Sequence, residues 1–151
     1  RKGDLFIMRI TKKGQYALFF MIDLALHEGE TITVKQVAKT YDLSEKYLEQ
    51  VAAKLRQAGA VKVIRGSHGG YYLAKDVRDY TVGEILDTIE GQKNAVEIDL
   101  DQTSESNKAM NIVIQDLGQA VDSAVDHVLD GMTLTDMVRV YNEQETFSYI
   151  I

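Results

Sequence analysis

Residues Thr33–Leu73 read TVKQVAKTYDLSEKYLEQVAAKLRQAGAVKVIRGSHGGYYL, and the architecture of the chain turns on them. Thr33 offers a hydroxyl to the first turn of a helix, and Gln36 stands three residues later, the capping-box spacing. Val34, Val37 and Ala38 form its apolar stripe, which runs to Thr40 or Tyr41. Asp42-Leu43 makes a turn. Ser44 is a second N-cap, with Glu45 favourable in the first turn. The helix Glu45–Ala58 carries Leu48, Val51, Ala52 and Leu55 on one face, and Gly59 ends it. Val61–Ile64 then reads as a strand, Arg65–Gly70 as a turn and Tyr71–Leu73 as the returning strand. Two short helices joined by a tight turn are a helix-turn-helix, and a hairpin placed directly after them is a wing.

Upstream, Thr11–Glu28 has helical periodicity, with Tyr16, Phe20 or Phe19, Ile22 or Asp23, and Ala25–Leu26 on a broad apolar surface, until Gly29 stops it. Downstream, Thr81 opens a helix through Ile85, Leu86 and Ile89 to Gly91. Residues 92–107 (QKNAVEIDLDQTSESN) are polar and acidic and read as a loop. A long helix runs from about Glu105 to Leu129. On it Met110, Ile114, Leu117, Val121, Ala124 and Val128 recur at alternating spacings of four and three, the pattern of a coiled-coil seam. After Gly131, a last short helix begins near Thr133 or Thr135. The expected fold class is mainly α with a small β-hairpin, a winged helix-turn-helix plus a long C-terminal helix. Residues 1–7 precede Met8 and are set aside as an extension, native or added. The winged-helix domain spans 8–91, the polar loop 92–107, and residues 108–151 hold the seam helix and a segment that packs back on the first domain.

The chain has 151 residues and no cysteine, proline or tryptophan. Without cysteine there are no disulfides, thiolate zinc sites, cysteine-ligated iron–sulfur clusters or cysteine nucleophiles. No apolar run approaches the ~20 residues of a membrane span, and the start lacks signal-peptide order. No membrane partner is expected, and the simplest location is the cytoplasm. The net charge of −6 hides an asymmetry. Residues 1–75 hold 13 Lys+Arg against 7 Asp+Glu, a balance of +6; residues 76–151 hold 4 against 16, a balance of −12. One half is suited to a polyanion.

With Leu48, Val51 and Leu55 turned to a core, Lys46, Glu49, Gln50, Ala53 and Lys54 point away, and Tyr47 flanks them. Gln50 suits paired hydrogen bonds to adenine, Lys46 suits guanine, and Glu49 suits the cytosine amine. Tyr47 fits a phosphate or a thymine methyl. Lys54, one turn further on, suits phosphate. The glycine-flanked Arg65 at a thin hairpin tip suits a narrow minor groove, and Ser67 and His68 add donors. Thr11, Lys12 and Lys13 open a helix whose N-terminus favours a phosphate. The capping residues Gln36 and Ser44 complete the expected DNA-facing set.

The segments MRITKKGQYAL, LSEKYLEQVAAKLRQAGAVKVIRGSHGGYYLA, TVGEILDTIEG and TLTDMV resemble the Rrf2 family of bacterial transcription regulators, densely over residues 8–91 and loosely beyond. The resemblance implies a winged-helix homodimer on near-palindromic DNA. It places Lys46, Tyr47, Glu49 and Gln50 on the reading helix and Arg65 in the minor groove. It makes the Met110–Val128 seam (Met110, Ile114, Leu117, Val121, Ala124, Val128) the dimerisation surface. Cluster-binding members carry three cysteines after the segment matching TVGEILDTIEG. Here none is present, so no cofactor is expected and the chain is most like the cluster-less type. The wing also departs from the pattern, with RGSHGGY where many relatives have RGPGGGY.

The leading reading is therefore a homodimeric repressor bound to double-stranded DNA and modulated by a regulatory protein or a small-molecule effector. The alternative is a winged-helix adaptor that regulates through a partner protein. An enzyme is not expected. Asp122, Asp126, His127 and Asp130 share part of a helix face, but read as the wet side of that helix rather than a metal site, and no nucleophile–base constellation is visible.

Overall fold

A computed structural model describes residues 10–91, 98, 100 and 105–150. The extension 1–7, Met8 and most of the expected loop 92–107 lie outside the described residues.

The first helix, α1 (Lys12–Leu26), starts where Thr11 Oγ1 accepts the Gly14 N–H at 3.0 Å. The same hydroxyl donates to Glu90 Oε1 at 2.8 Å, joining the start of α1 to the distant residue 90. Helices α2 (Val34–Thr40) and α3 (Glu45–Gln57) come next. The Thr33–Gln36 capping box forms in full. Asp42 makes the sharp turn between them at φ +54°, a left-handed position that aspartate tolerates. Strands β1 (Val61–Ile64) and β2 (Gly70–Leu73) pair antiparallel, from Val61 opposite Leu73 to Ile64 opposite Gly70.

The wing is docked as well as closed. Ile32, just before α2, exchanges two backbone hydrogen bonds with Tyr71 at 2.9 and 2.7 Å. Gly70 makes this approach possible. A Cβ there would lie 2.8 Å from the Ile32 nitrogen, and the backbone sits at φ +156°.

A 3₁₀ turn at Val77–Asp79 leads to α4 (Val82–Glu90), capped by Thr81. A second 3₁₀ turn at Glu105–Asn107 precedes α5 (Lys108–Gly131), so the long helix begins three residues later than the periodicity suggests. The last helix, α6 (Leu134–Ile150), has 17 residues. The expectation of a short one is corrected: Thr133 and Asp136 form a reciprocal cap at its start, and no glycine or proline interrupts the residues beyond it.

The core is built by α1, α3 and α4, with Phe20, Met21, Leu48, Leu55, Ile85 and Leu86 removed from solvent. Leu134 of α6 joins it. Backbone bonds from Val82 N to the Met132 carbonyl and from Leu134 N to the Tyr80 carbonyl tie the α5–α6 junction to the start of α4. Tyr80 is fully buried, and its hydroxyl is satisfied three ways: it donates to the Ala60 carbonyl at 2.6 Å and accepts from the Ala74 and Lys75 N–H groups. Among the described residues no helix is long and apolar enough to cross a membrane.

Candidate nucleic-acid interface

The apolar spacing of α3 dictates which of its residues can meet a partner. Leu48, Val51, Ala52 and Leu55 are all at most 1% exposed. At 100° per residue, the remaining arc presents Lys46, Glu49, Gln50, Ala53 and Lys54 to solvent, as they are found. Lys46 and Glu49 thus stand beside Gln50 near the start of a helix whose buried stripe fixes its roll.

The start of α3 is held by residues from α1. Ser44 Oγ accepts the Tyr47 N–H at 3.2 Å, the expected cap. The Ser44 N–H itself donates to the Tyr16 hydroxyl at 3.2 Å. The Tyr16 and Tyr47 rings meet edge to face, with centroids 4.8 Å apart, and Lys13 Nζ lies 5.9 Å from the Tyr47 centroid. Lys13 of α1 and Tyr47 of α3 are therefore brought together, with an ammonium set against the negative face of a ring. Tyr16 escapes an inspection of exposed polar residues because periodicity assigns it to the core. The signal for its role is that a buried tyrosine hydroxyl needs a partner.

Other expected residues are placed with part of their bonding capacity in use. Thr11 spends its hydroxyl on the α1 cap and on Glu90. Gln36 Oε1 accepts from both Thr33 N and Thr33 Oγ1, leaving its amide N–H₂ outward. Lys54 Nζ donates to the Ile89 carbonyl at 3.0 Å, so its ammonium is tethered near the end of α4 rather than reaching out. Lys12 is exposed at the first position of α1.

On the wing, Arg65, Ser67 and His68 are all exposed around the tip. The tip is anchored where the Thr31 hydroxyl donates to the His68 carbonyl at 3.0 Å. The His68 ring is not used in that contact.

A pattern of this kind, a capped helix-turn-helix with a docked wing, has known relatives. The model of the Rrf2 family, described as an iron-dependent transcriptional regulator, matches residues 10–140. The chain belongs to the Rrf2 family. The HTH-type transcriptional regulator CymR of Bacillus subtilis (strain 168) is 40% identical over 146 residues, covering 95% of this chain and 100% of CymR. The HTH-type transcriptional regulator IscR of Photobacterium profundum is 33% identical over 144 residues, covering 91% of this chain and 80% of IscR. Among solved structures, that of CymR (YrzC), the global cysteine regulator of B. subtilis, superposes with a TM-score of 0.69 at 38% identity, over 89% of this chain and 98% of that one. The winged-helix fold is thus shared with CymR, and this Rrf2 member is a DNA-binding transcription regulator. The family is one of regulators, not enzymes.

The family description names iron. This chain has no cysteine, so a cysteine-ligated cluster does not fit it. Among the described residues, no group of three or more His, Asp or Glu side chains is placed to hold a metal ion, Asp122, Asp126, His127 and Asp130 included.

Away from the exposed face of α3, α5 divides into two sides. Gly118, Val125 and Leu129 turn to the body of the protein, and Ile98 closes on Gly118 where a Cβ would leave it no room. About a quarter-turn away, Met110, Ile114, Leu117, Val121 and Val128 are 37–66% exposed, and Ala124 is exposed among them.

Proposed function

We propose that this Rrf2 member is a homodimeric, sequence-specific repressor that works on a near-palindromic operator without an iron–sulfur cluster. The observation that carries the dimer is the uncovered stripe on α5. Met110 to Val128 spans about 27 Å of helix at 1.5 Å per residue. A stripe of large apolar side chains that long, left in water, has a strong drive for burial against an equal stripe. The four–three spacing suits helix-on-helix packing of the coiled-coil type.

In this reading Lys46, Glu49 and Gln50 meet base edges in the major groove, with Tyr47 beside them. Arg65 enters the minor groove, supported by Ser67 and His68. Lys12, Lys13 and the Thr11 end of α1 meet phosphate, joined by the outward amide of Gln36 and by Ser44. Lys54 contributes from its tether at Ile89. Two-fold symmetry sets the two α3 helices about 34 Å apart, one turn of DNA. A regulatory protein or small effector then acts by changing the geometry or stability of that arrangement.

The test is fluorescence anisotropy with DNA fragments recovered by genomic pull-down. We expect log K to fall linearly with log salt, at a slope of about −0.9 per phosphate neutralised. Selective capture of proteins with no salt-sensitive DNA shift overturns this reading in favour of an adaptor.

A further inference from the structure

A cleft of about 270 Å³ opens between the C-terminal end of α1, the connector to α2 and the wing. Its apolar lining is Leu24, Ile64, Tyr72 and Leu73, and its polar lining includes His27, Glu28, Glu30 and Thr31. Ile64 is 49% exposed at the cleft. With water filling ~30 Å³ per molecule, the cleft has room for a compact molecule of on the order of ten non-hydrogen atoms.

The cleft lining carries Glu28 and Glu30 against the single lysine Lys75. The C-terminal end of α1 carries the negative pole of the helix dipole, and its last turn holds no basic residue. Glu28 and Glu30 come directly after it, where carboxylates oppose that pole instead of complementing it. Among the described residues neither is paired with a cation. Lys75, the cleft's one lysine, has its Nζ on Glu84 Oε1 at 2.7 Å and over the Tyr80 ring at 4.8 Å. His27 Nδ1 lies 2.8 Å from the Asp23 carbonyl, to which it donates, and 3.5 Å from the Asp23 carboxylate, so this edge of the ring is turned to α1. The carboxylates of Glu28 and Glu30 therefore stand above a floor formed by Leu24, Ile64, Tyr72 and Leu73, with the Lys75 ammonium held on Glu84.

We propose that this cleft binds a small organic cation, an ammonium or guanidinium joined to an apolar or aromatic body, and that its occupancy is felt at the wing. The cation neutralises Glu28, Glu30 and the end of α1, while the body covers Ile64 and Tyr72. The coupling is structural. The Thr31 hydroxyl holds the His68 carbonyl at the wing tip, and the next residue, Ile32, is bonded on both sides to Tyr71. A ligand wedged between connector and hairpin loads the joint that sets the wing. The effect on DNA rests on the function proposed above; the binding itself does not.

The probe is 2-phenylethylammonium, titrated calorimetrically into the full chain, with 2-phenylethanol and 3-phenylpropionate as neutral and anionic counterparts. We expect saturable binding of the cation alone, weakened about tenfold or more in Glu28→Gln/Glu30→Gln. The melting temperature of that double variant checks that it folds. No binding, equal binding of the alcohol, or binding indifferent to the double substitution overturns the site. Operator affinity is then measured with and without the cation, and a change of about fivefold or more is expected. Cation binding with unchanged operator affinity overturns the coupling to the wing. Loss of all DNA binding in the ligand-free protein instead overturns the proposed function and leaves the calorimetric result standing.

Discussion

The Tyr16 hydroxyl accepts the backbone N–H of Ser44 at 3.2 Å, so α1 holds the first turn of α3. A phenylalanine at this position keeps the ring contact with Tyr47 and deletes only the acceptor. Tyr16→Phe is expected to lower unfolding stability by about 0.5–1.5 kcal/mol, the net worth of one hydrogen bond. Urea denaturation checks it. Because the Ser44 end of α3 then loosens, operator affinity is expected to fall too. An unchanged denaturation midpoint removes Tyr16 as a positioning residue.

Ser44 separates structure from recognition. Its Oγ caps α3 through the Tyr47 N–H. Ser44→Ala removes the cap and is expected to cost about 1 kcal/mol, while Ser44→Asp restores it, since aspartate caps as well as serine. The aspartate also places a negative charge beside the expected phosphate path. Ser44→Asp is therefore expected to melt like the parent and bind DNA more weakly, as calorimetry and anisotropy together would read. Tight DNA binding by Ser44→Asp takes the α3 start away from the DNA.

Gly70 is the close approach on which wing docking depends. Gly70→Ala sets a Cβ 2.8 Å from the Ile32 nitrogen and 2.9 Å from its carbonyl carbon, at φ +156°. Strained backbone positions cost of order 1–3 kcal/mol. The expected loss is within that range, accompanied by faster amide exchange at Tyr71 and Ile32. Parent-like protection at both amides refutes the docking role.

Helix α3 and the hairpin are legible because their signals are local. Thr33, Ser44 and Thr81 each sit just before an apolar periodic run, and each caps the helix after it. The winged helix and its Rrf2 resemblance follow from that order. Contacts between distant residues carry no such signal. Nothing near Lys54 announces the Ile89 carbonyl, 35 positions away, and nothing near Thr11 announces Glu90. Tyr16 reads as core because burial and hydrogen bonding occur on the same side chain. The length of α6 is hard to read because its outer half, from Val140 to Tyr149, is largely exposed and offers little amphipathic contrast. The Gly-Gly of the wing reads as a turn, yet Gly70 answers to Ile32, which only the tertiary fold brings near.

Asp76 makes a pH-dependent contact at the turn before α4. Its carboxylate accepts from Arg78 Nε at 3.0 Å, from Arg78 Nη2 at 3.0 Å and from the Arg78 N–H at 2.9 Å. The Arg78 side chain first, and its backbone N–H second, hold the carboxyl down to about 2 from an ordinary 3.8. A depressed acid stabilises the folded state fully above the unfolded value and loses that contribution as pH falls through the folded one. The contribution should thus be complete above about pH 4 and gone below about pH 2. Carbon NMR titration of Asp76 checks the midpoint. Arg78→Ala keeps the backbone donor, so the midpoint should move only part of the way back. A parent midpoint at the ordinary value refutes the contact.

Two leucines on α5 should respond in opposite ways. Leu117 is 61% exposed on the seam, whereas Leu129 is 6% exposed against the body of the same chain. Leu117→Glu adds a charge to a surface that is already wet in the single chain, so the fold should survive with its helicity intact. In a dimer it buries two carboxylates against each other, at a cost no surface contact offsets. Sedimentation equilibrium is expected to give a monomer, and operator affinity to drop by the loss of the second half-site. Leu129→Ala instead empties a core position and should cost about 2–5 kcal/mol of unfolding stability. Its native fraction should still associate, because the seam is untouched. A Leu117→Glu protein that remains dimeric shows that the seam does not hold the two copies together, whereas a Leu129→Ala protein with parent stability shows that α5 does not lean on its own domain.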